Sequence, residues 1–168
     1  MKGPNLRRGD GEIRRNGERF AAETVYNFVG KDKSRDAFST YQQTPIYYRG
    51  HLFGIQLNTA REHRMEFVCV DPGAAGGKFV WTSGRDTIFS TPKKKEAWSP
   101  YLLADGKFYV ADDVGRIVVF EATPQRCNKI AEWRAMEGDE VWAPLVIVGG
   151  RMLIRDVGRL VCLDLRRI

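Results

Sequence analysis

Three cysteines, Cys69, Cys127 and Cys162, and two histidines, His51 and His63, are the side chains best suited to nucleophilic or metal chemistry in this chain of 168 residues. The cysteines lie far apart, with no CxxC spacing and no nearby histidine, so metal clusters and redox pairs have no support. Their odd number argues against a disulfide scaffold. Cys69 and Cys162 read as small core hydrophobes, because a free cysteine packs as one. No serine or cysteine is spaced to form a nucleophile with either histidine. Asp112, Asp113 and Asp156 offer oxygen ligands for a hard cation, but they lack the alternating acids closed by a distant glutamate of a calcium loop. Their Asp-Val-Gly setting reads as a hairpin turn. These residues therefore point to no catalytic group, no metal site and no cofactor. What is left is recognition: Gln43, Trp98 and Trp142 each precede a Thr-Pro, Ser-Pro or Ala-Pro pair. An indole supplies a large stacking surface and one donor, so the trio is the candidate for ligand or partner binding. The competing reading makes the tryptophans wedges between structural units.

The elements that position this trio repeat. Residues 99–110 (SPYLLADGKFYV) and 143–154 (APLVIVGGRMLI) are two copies of one segment, and 44–53 (TPIYYRGHLF) is a third, 55 residues ahead of the first. Each copy continues through a second apolar run and a turn into a third run that ends on an acid: Phe67 to Asp71, Ile117 to Glu121 and Leu160 to Asp164. The first two copies add a fourth run that ends on Trp81 or Trp133; the third stops before it. Short β-branched and aromatic runs broken by Gly, Asp and Pro are strand and hairpin signals. Four of them in roughly 40 to 50 residues describe a propeller blade. The pattern predicts an all-β fold: a partial β-propeller of about three four-stranded blades over 44–90, 99–137 and 143–168, the last incomplete. Asn128 to Glu137 holds good helix formers, but the repeat places Trp133 where Trp81 falls, and a strand is expected there. Residues 1–40 are expected to be the remnant of a preceding blade or an edge cap.

Composition sets the outer limits. With 43% hydrophobic and 29% charged residues, the chain is a globular domain or a piece of one. No apolar run approaches the length of a membrane span, and no signal peptide is legible at the start. The formal net charge is +6, but its dense basic cluster is Lys93-Lys94-Lys95 alone, whereas backbone binding to nucleic acid uses a wider basic face. Nucleic acid is not an expected partner.

From about Gln43 to Leu165 the sequence resembles the quinoprotein-like (PQQ-like) β-propeller repeat family. Its blades start at Thr-Pro, here Gln42-Gln43-Thr44-Pro45 and Trp142-Ala143-Pro144, and end on Gly-Lys-x-x-Trp, here Gly77 to Trp81. The third strand reads Leu-x-Cys-Leu-Asp, here Leu160 to Asp164. Thr-Pro becomes Ser99-Pro100 in the second copy, and the second blade lacks Gly-Lys. The resemblance implies the C-terminal blades of a longer bacterial propeller-repeat protein with a noncatalytic binding or scaffolding role, in the periplasm or cell envelope. Its alternative is the C-terminal segment of a PQQ-dependent quinoprotein dehydrogenase, whose enzymatic relatives hold the quinone with a tryptophan platform, a calcium ion, an aspartate base and often adjacent cysteines. No adjacent cysteines exist here. The expected partners are a protein or peptide, or the remaining blades of the ring. An isolated open arc is expected to form oligomers or aggregates, because bare strand edges template association.

Overall fold

The computed structural model describes residues 14–16, 19–21, 38, 40, 43–58, 64–74, 78–84, 89, 99–138 and 140–166. Trp98, His63 and Lys93 to Lys95 lie outside the described residues. Among those described, every regular element is a β-strand. Three turns of one kind set the pattern: Arg49-Gly50, Asp105-Gly106 and Gly149-Gly150 each place two successive residues at positive φ, from 48° to 81°. Such pairs form type I′ turns, whose twist matches that of the strands they join. Asp105 tolerates the left-handed conformation as turn aspartates do, and its carboxylate holds the Lys107 ammonium at 3.0 Å.

The strands meander as the repeat predicts. Sheet I runs β3 (Ile46–Tyr48), β4 (His51–Asn58), β5 (Arg64–Asp71) and β6 (Lys78–Thr82). Sheet II runs β7 (Tyr101–Ala104), β8 (Lys107–Ala111), β9 (Arg116–Glu121) and β10 (Lys129–Arg134). Sheet III holds three strands: β11 (Val146–Val148), β12 (Arg151–Arg155) and β13 (Leu160–Asp164). A separate hairpin pairs β1 (Arg14–Asn16) with β2 (Arg19–Ala21). All pairings are antiparallel. The strand over Lys129–Arg134 confirms that pairing with β9 overrides local helix propensity, as tertiary context commonly does. The registers also refine the repeat: Ile46 faces Phe53, Leu102 faces Tyr109 and Val146 faces Leu153. The first copy is therefore one residue shorter between its proline and its turn, and Thr44 aligns with Pro100 rather than Ser99.

Side chains alternate between the two faces of a strand, and the sheets use both. Phe53, Met65, Phe67 and Cys69 of sheet I meet Phe108, Val110, Val118 and Phe120 of sheet II in one buried cluster. The opposite face of sheet II, through Ala111, Ile117 and Val119, meets Met152 and Ile154 of sheet III in a second. Sheet II is thus packed on both sides, and Ile117 to Phe120 are all buried. Phe67 is the hub of the first cluster. It stacks on Phe120 at 5.2 Å between ring centroids, meets Phe108 edge-on at 5.2 Å, and touches Trp81 and Tyr101 at 5.9 Å. Trp81 rests against Phe53 and donates its indole N–H to the Thr123 carbonyl beside sheet II, at 3.2 Å. Trp133 packs in the second cluster. Both fourth-strand tryptophans therefore lie between sheets, as their repeat position implies. Sheets stacked face to face as successive four-stranded meanders are the blades of a propeller. The chain is an all-β partial propeller.

Truncating the hub exposes the value of this packing. Phe67→Ala should lower unfolding free energy by about 3 to 5 kcal/mol, the usual loss for a fully buried Phe. Val148→Ala, on a residue 64% exposed, should change it by less than about 0.5 kcal/mol. Urea midpoints of the two variants check this, and equal shifts would contradict it.

Candidate functional site

One end of the stack gathers the starts of the first strands and the turns between the second and third. The Ala111 N–H donates to the Pro100 carbonyl at 2.8 Å, Ala135 N–H to Gly115 at 2.8 Å and Val141 N–H to Asp113 at 3.2 Å. The connector from sheet II to sheet III is thereby stitched to the Asp112–Gly115 turn. Gly115 has φ 88°, and a Cβ there would collide with the Met136 carbonyl, so only glycine fits. A Cβ on Gly138 would likewise strike the Asp156 carboxylate.

Asp112 and Asp156 serve these turns, while the Asp113 carboxylate is buried beside them. Asp112 accepts the Val114 and Arg116 N–H groups on one carboxylate oxygen and the Arg116 guanidinium on the other, at 3.1, 2.8 and 2.9 Å. Asp156 accepts the Gly158 and Arg159 N–H groups at 2.8 and 2.6 Å. This local bonding is the hairpin role read from the sequence. It does not fit the calcium and quinone set that the family resemblance implies. Among the described residues no three His, Cys, Asp or Glu side chains converge as a metal site.

The recognition trio separates. Gln43 is half-buried and binds the start of the next sheet: its side-chain carbonyl accepts the Tyr101 N–H at 3.1 Å. The Tyr101 hydroxyl donates back to the Gln43 and Thr44 carbonyls at 3.3 and 3.2 Å. Gln43 is thus a joint between sheets I and II at this end. Trp142 is different, with 40% of its surface exposed. Its backbone N–H donates to the Glu140 carbonyl at 2.9 Å. Glu140 itself has φ 65°, a left-handed conformation that costs a non-glycine residue about 1 kcal/mol or more and concentrates at ligand sites. Beside them a cleft of about 530 Å³ is lined by Glu140, Asp156, Val157, Gly158 and Arg159. Arg159 is anchored by its guanidinium to the Glu137 carbonyl. The cleft thus carries the Glu140 carboxylate and the Arg159 guanidinium, and Trp142 stands two residues along the chain from Glu140. The sequence reading named Trp142 and did not single out Tyr101, Glu140 and Arg159. Tyr101 follows the proline of its repeat and had a legible position; nothing in the sequence marks the positive φ of Glu140.

The cysteines also part company. Cys69 is fully buried in the first cluster, matching its reading as core, whereas Cys162 is exposed. Cys162 lies in the row of sheet III that faces away from sheet II, where no described sheet covers it.

No protein-family model matches the chain, and no curated protein matches it. Solved structures do. A europium-containing methanol dehydrogenase aligns with a TM-score of 0.51 at 11% identity, over 72% of this chain and 22% of its own length. At that identity the likeness is one of fold. The chain spans about a fifth of that enzyme.

The packed thiols give the fold a pH signature. Burial pushes Cys69 up to about 12 and Cys127 up to about 11, and burial also raises the Tyr101 phenol. Groups raised in the folded state stabilise it fully below their unfolded values, and that stability drains away as pH climbs toward the folded ones. Near-ultraviolet circular dichroism should therefore show stability constant near pH 8 and falling from about pH 9 upward. A thiol reagent at neutral pH should label Cys162 quickly and Cys69 only on unfolding; rapid labelling of Cys69 would contradict the packing.

Proposed function

We propose that the chain is a noncatalytic binding and scaffolding segment of the PQQ-like propeller-repeat type, with Trp142 at the centre of its recognition surface. The observation that carries this reading is the strained Glu140 holding an exposed Trp142 beside an open, charged cleft. A partly exposed indole near a cleft lined by an acid and a guanidinium suits an extended peptide: the ring stacks on an apolar or cationic side chain and the charges fix its orientation. Asp112 and Asp156 nearby are occupied with turn bonding. The family resemblance favours work in the periplasm or cell envelope. Among the described residues no helix is long and apolar enough to cross a membrane.

A second reading, a segment of a quinone-dependent dehydrogenase, draws on the structural likeness to the methanol dehydrogenase. The two part on a titration of the purified chain with pyrroloquinoline quinone and Ca²⁺. The binding reading expects no saturable quenching of tryptophan fluorescence at micromolar cofactor; saturation there would favour the enzyme.

A peptide array probed with the wild-type chain tests the recognition surface itself. Peptides retained by wild type should lose affinity by about tenfold or more with Trp142→Ala, the usual result for a central aromatic anchor, and keep it with Val148→Ala. Unchanged retention by Trp142→Ala would remove Trp142 from the site.

A further inference from the structure

Among the described strand pairings two depart from a regular ladder, and they do so at the same place. In sheet I, Val70 faces Phe79 and Cys69 faces Trp81, so Val80 is an extra residue in β6. In sheet II, Phe120 faces Lys129 and Val119 faces Ala131, so Ile130 is an extra residue in β10. The rows Ile46, Phe53, Cys69 and Leu102, Tyr109, Val119 correspond, which makes Val80 and Ile130 equivalent. Both are apolar, and both face solvent, at 40% and 50% exposure. Burial of the side chain is therefore not what keeps the extra residue. The two strands, KFVWT and KIAEWR, keep it although their sequences differ at most positions.

The two edges of each sheet differ in what they offer another chain. The first strands, β3 and β7, are three and four residues long and pair without a shift. The fourth strands, β6 and β10, are five and six residues long. A very short edge gives an incoming strand little to pair with, whereas a longer one is a template for association. A bulge leaves one residue out of the ladder, bends its strand and increases the local twist. The free N–H and C=O groups on the far side of that strand then fall out of line with a straight partner. We infer that the bulges at Val80 and Ile130 close the outer edges of sheets I and II to strand addition, by a second copy of the chain or by any other extended segment. The exposed Lys78 and Lys129 beside them act in the same direction, since charge on an edge strand opposes edge-to-edge pairing. The device lies in the number of backbone residues, not in the side chain at the bulge.

Deleting Ile130 removes the extra residue and leaves the pairs Phe120–Lys129 and Val119–Ala131 as they are; deleting Val80 does the same in sheet I. Sedimentation velocity of the full chain should show each deletion strengthening self-association by about tenfold or more over wild type, because a straightened edge adds several main-chain hydrogen bonds between copies. Hydrogen exchange should slow with rising protein concentration at residues 129–134 in the first variant and 78–82 in the second, and at neither in wild type. Ile130→Ala keeps the bulge and should associate as wild type does. Circular dichroism melts verify folding, and if one deletion does not fold the other decides. The inference is overturned if the folded deletions associate no more than wild type, if the new protection falls on other strands, or if Ile130→Ala matches the deletion. It is overturned equally if neither deletion folds, since the bulge then serves packing within the sheet, or if wild type already protects β6 or β10 by association.

Discussion

Sheet II has no face to give to water, and the rest of the structure follows from that. Its strand β9 alternates between two apolar sets, Val118 and Phe120 toward sheet I, Ile117 and Val119 toward sheet III. A strand buried on both sides reads as a continuous hydrophobic run, and it cannot exist without a partner sheet on either side. The partners are held to it differently. Sheet I brings rings, with Phe67 and Phe53 lodged among Phe108, Phe120 and Trp81; sheet III brings the thinner set of Met152 and Ile154. Aromatic pairs add stabilisation beyond the area they bury, so the first joint is the stronger.

The exposure of Trp142 is a consequence of how the second joint is made. The connector over residues 135–145 must leave β10, seal the Asp112–Gly115 turn through Ala135 and Val141, and enter β11 within a short span. Backbone bonds to the turn fix its course, and Glu140 is forced into a left-handed conformation that sets Trp142 outward. The strain at Glu140 and the exposure of Trp142 thus belong to one constraint. At the first joint the equivalent region makes the opposite use of its polar group, with the half-buried Gln43 amide accepting the Tyr101 N–H.

Most of the fold was legible because it is written in periodic form. The alternation of Phe108, Val110 against Tyr109, Ala111, the Asp-Gly and Gly-Gly turns, and the matching positions of Trp81 and Trp133 depend on local spacing that a repeat makes visible. Lys129–Arg134 shows the strength of that signal: its residues favour helix, and its partner β9 decides otherwise. What stayed hidden depends on neighbours across sheets. Cys69 and Cys162 sit in equivalent sequence contexts, yet one is sealed and the other open because, among the described residues, a following sheet covers only the first. Gln43 and Trp142 precede the same motif, but the amide is short enough to cap the next strand's N–H, whereas Trp142 follows a strained residue that turns it away. The missing residue in the first copy, which shifts Thr44 against Ser99, is felt only in the pairing register.

Native-state hydrogen exchange tests the central claim, that two-sided burial of sheet II holds the stack together. If it does, the amides of Val110, Val118, Val119 and Phe120 open only with global unfolding and share one high free energy. Those of β12 and β13 exchange through a lower, separate opening. Protection in sheet III equal to or above that of β8 and β9 would contradict the account.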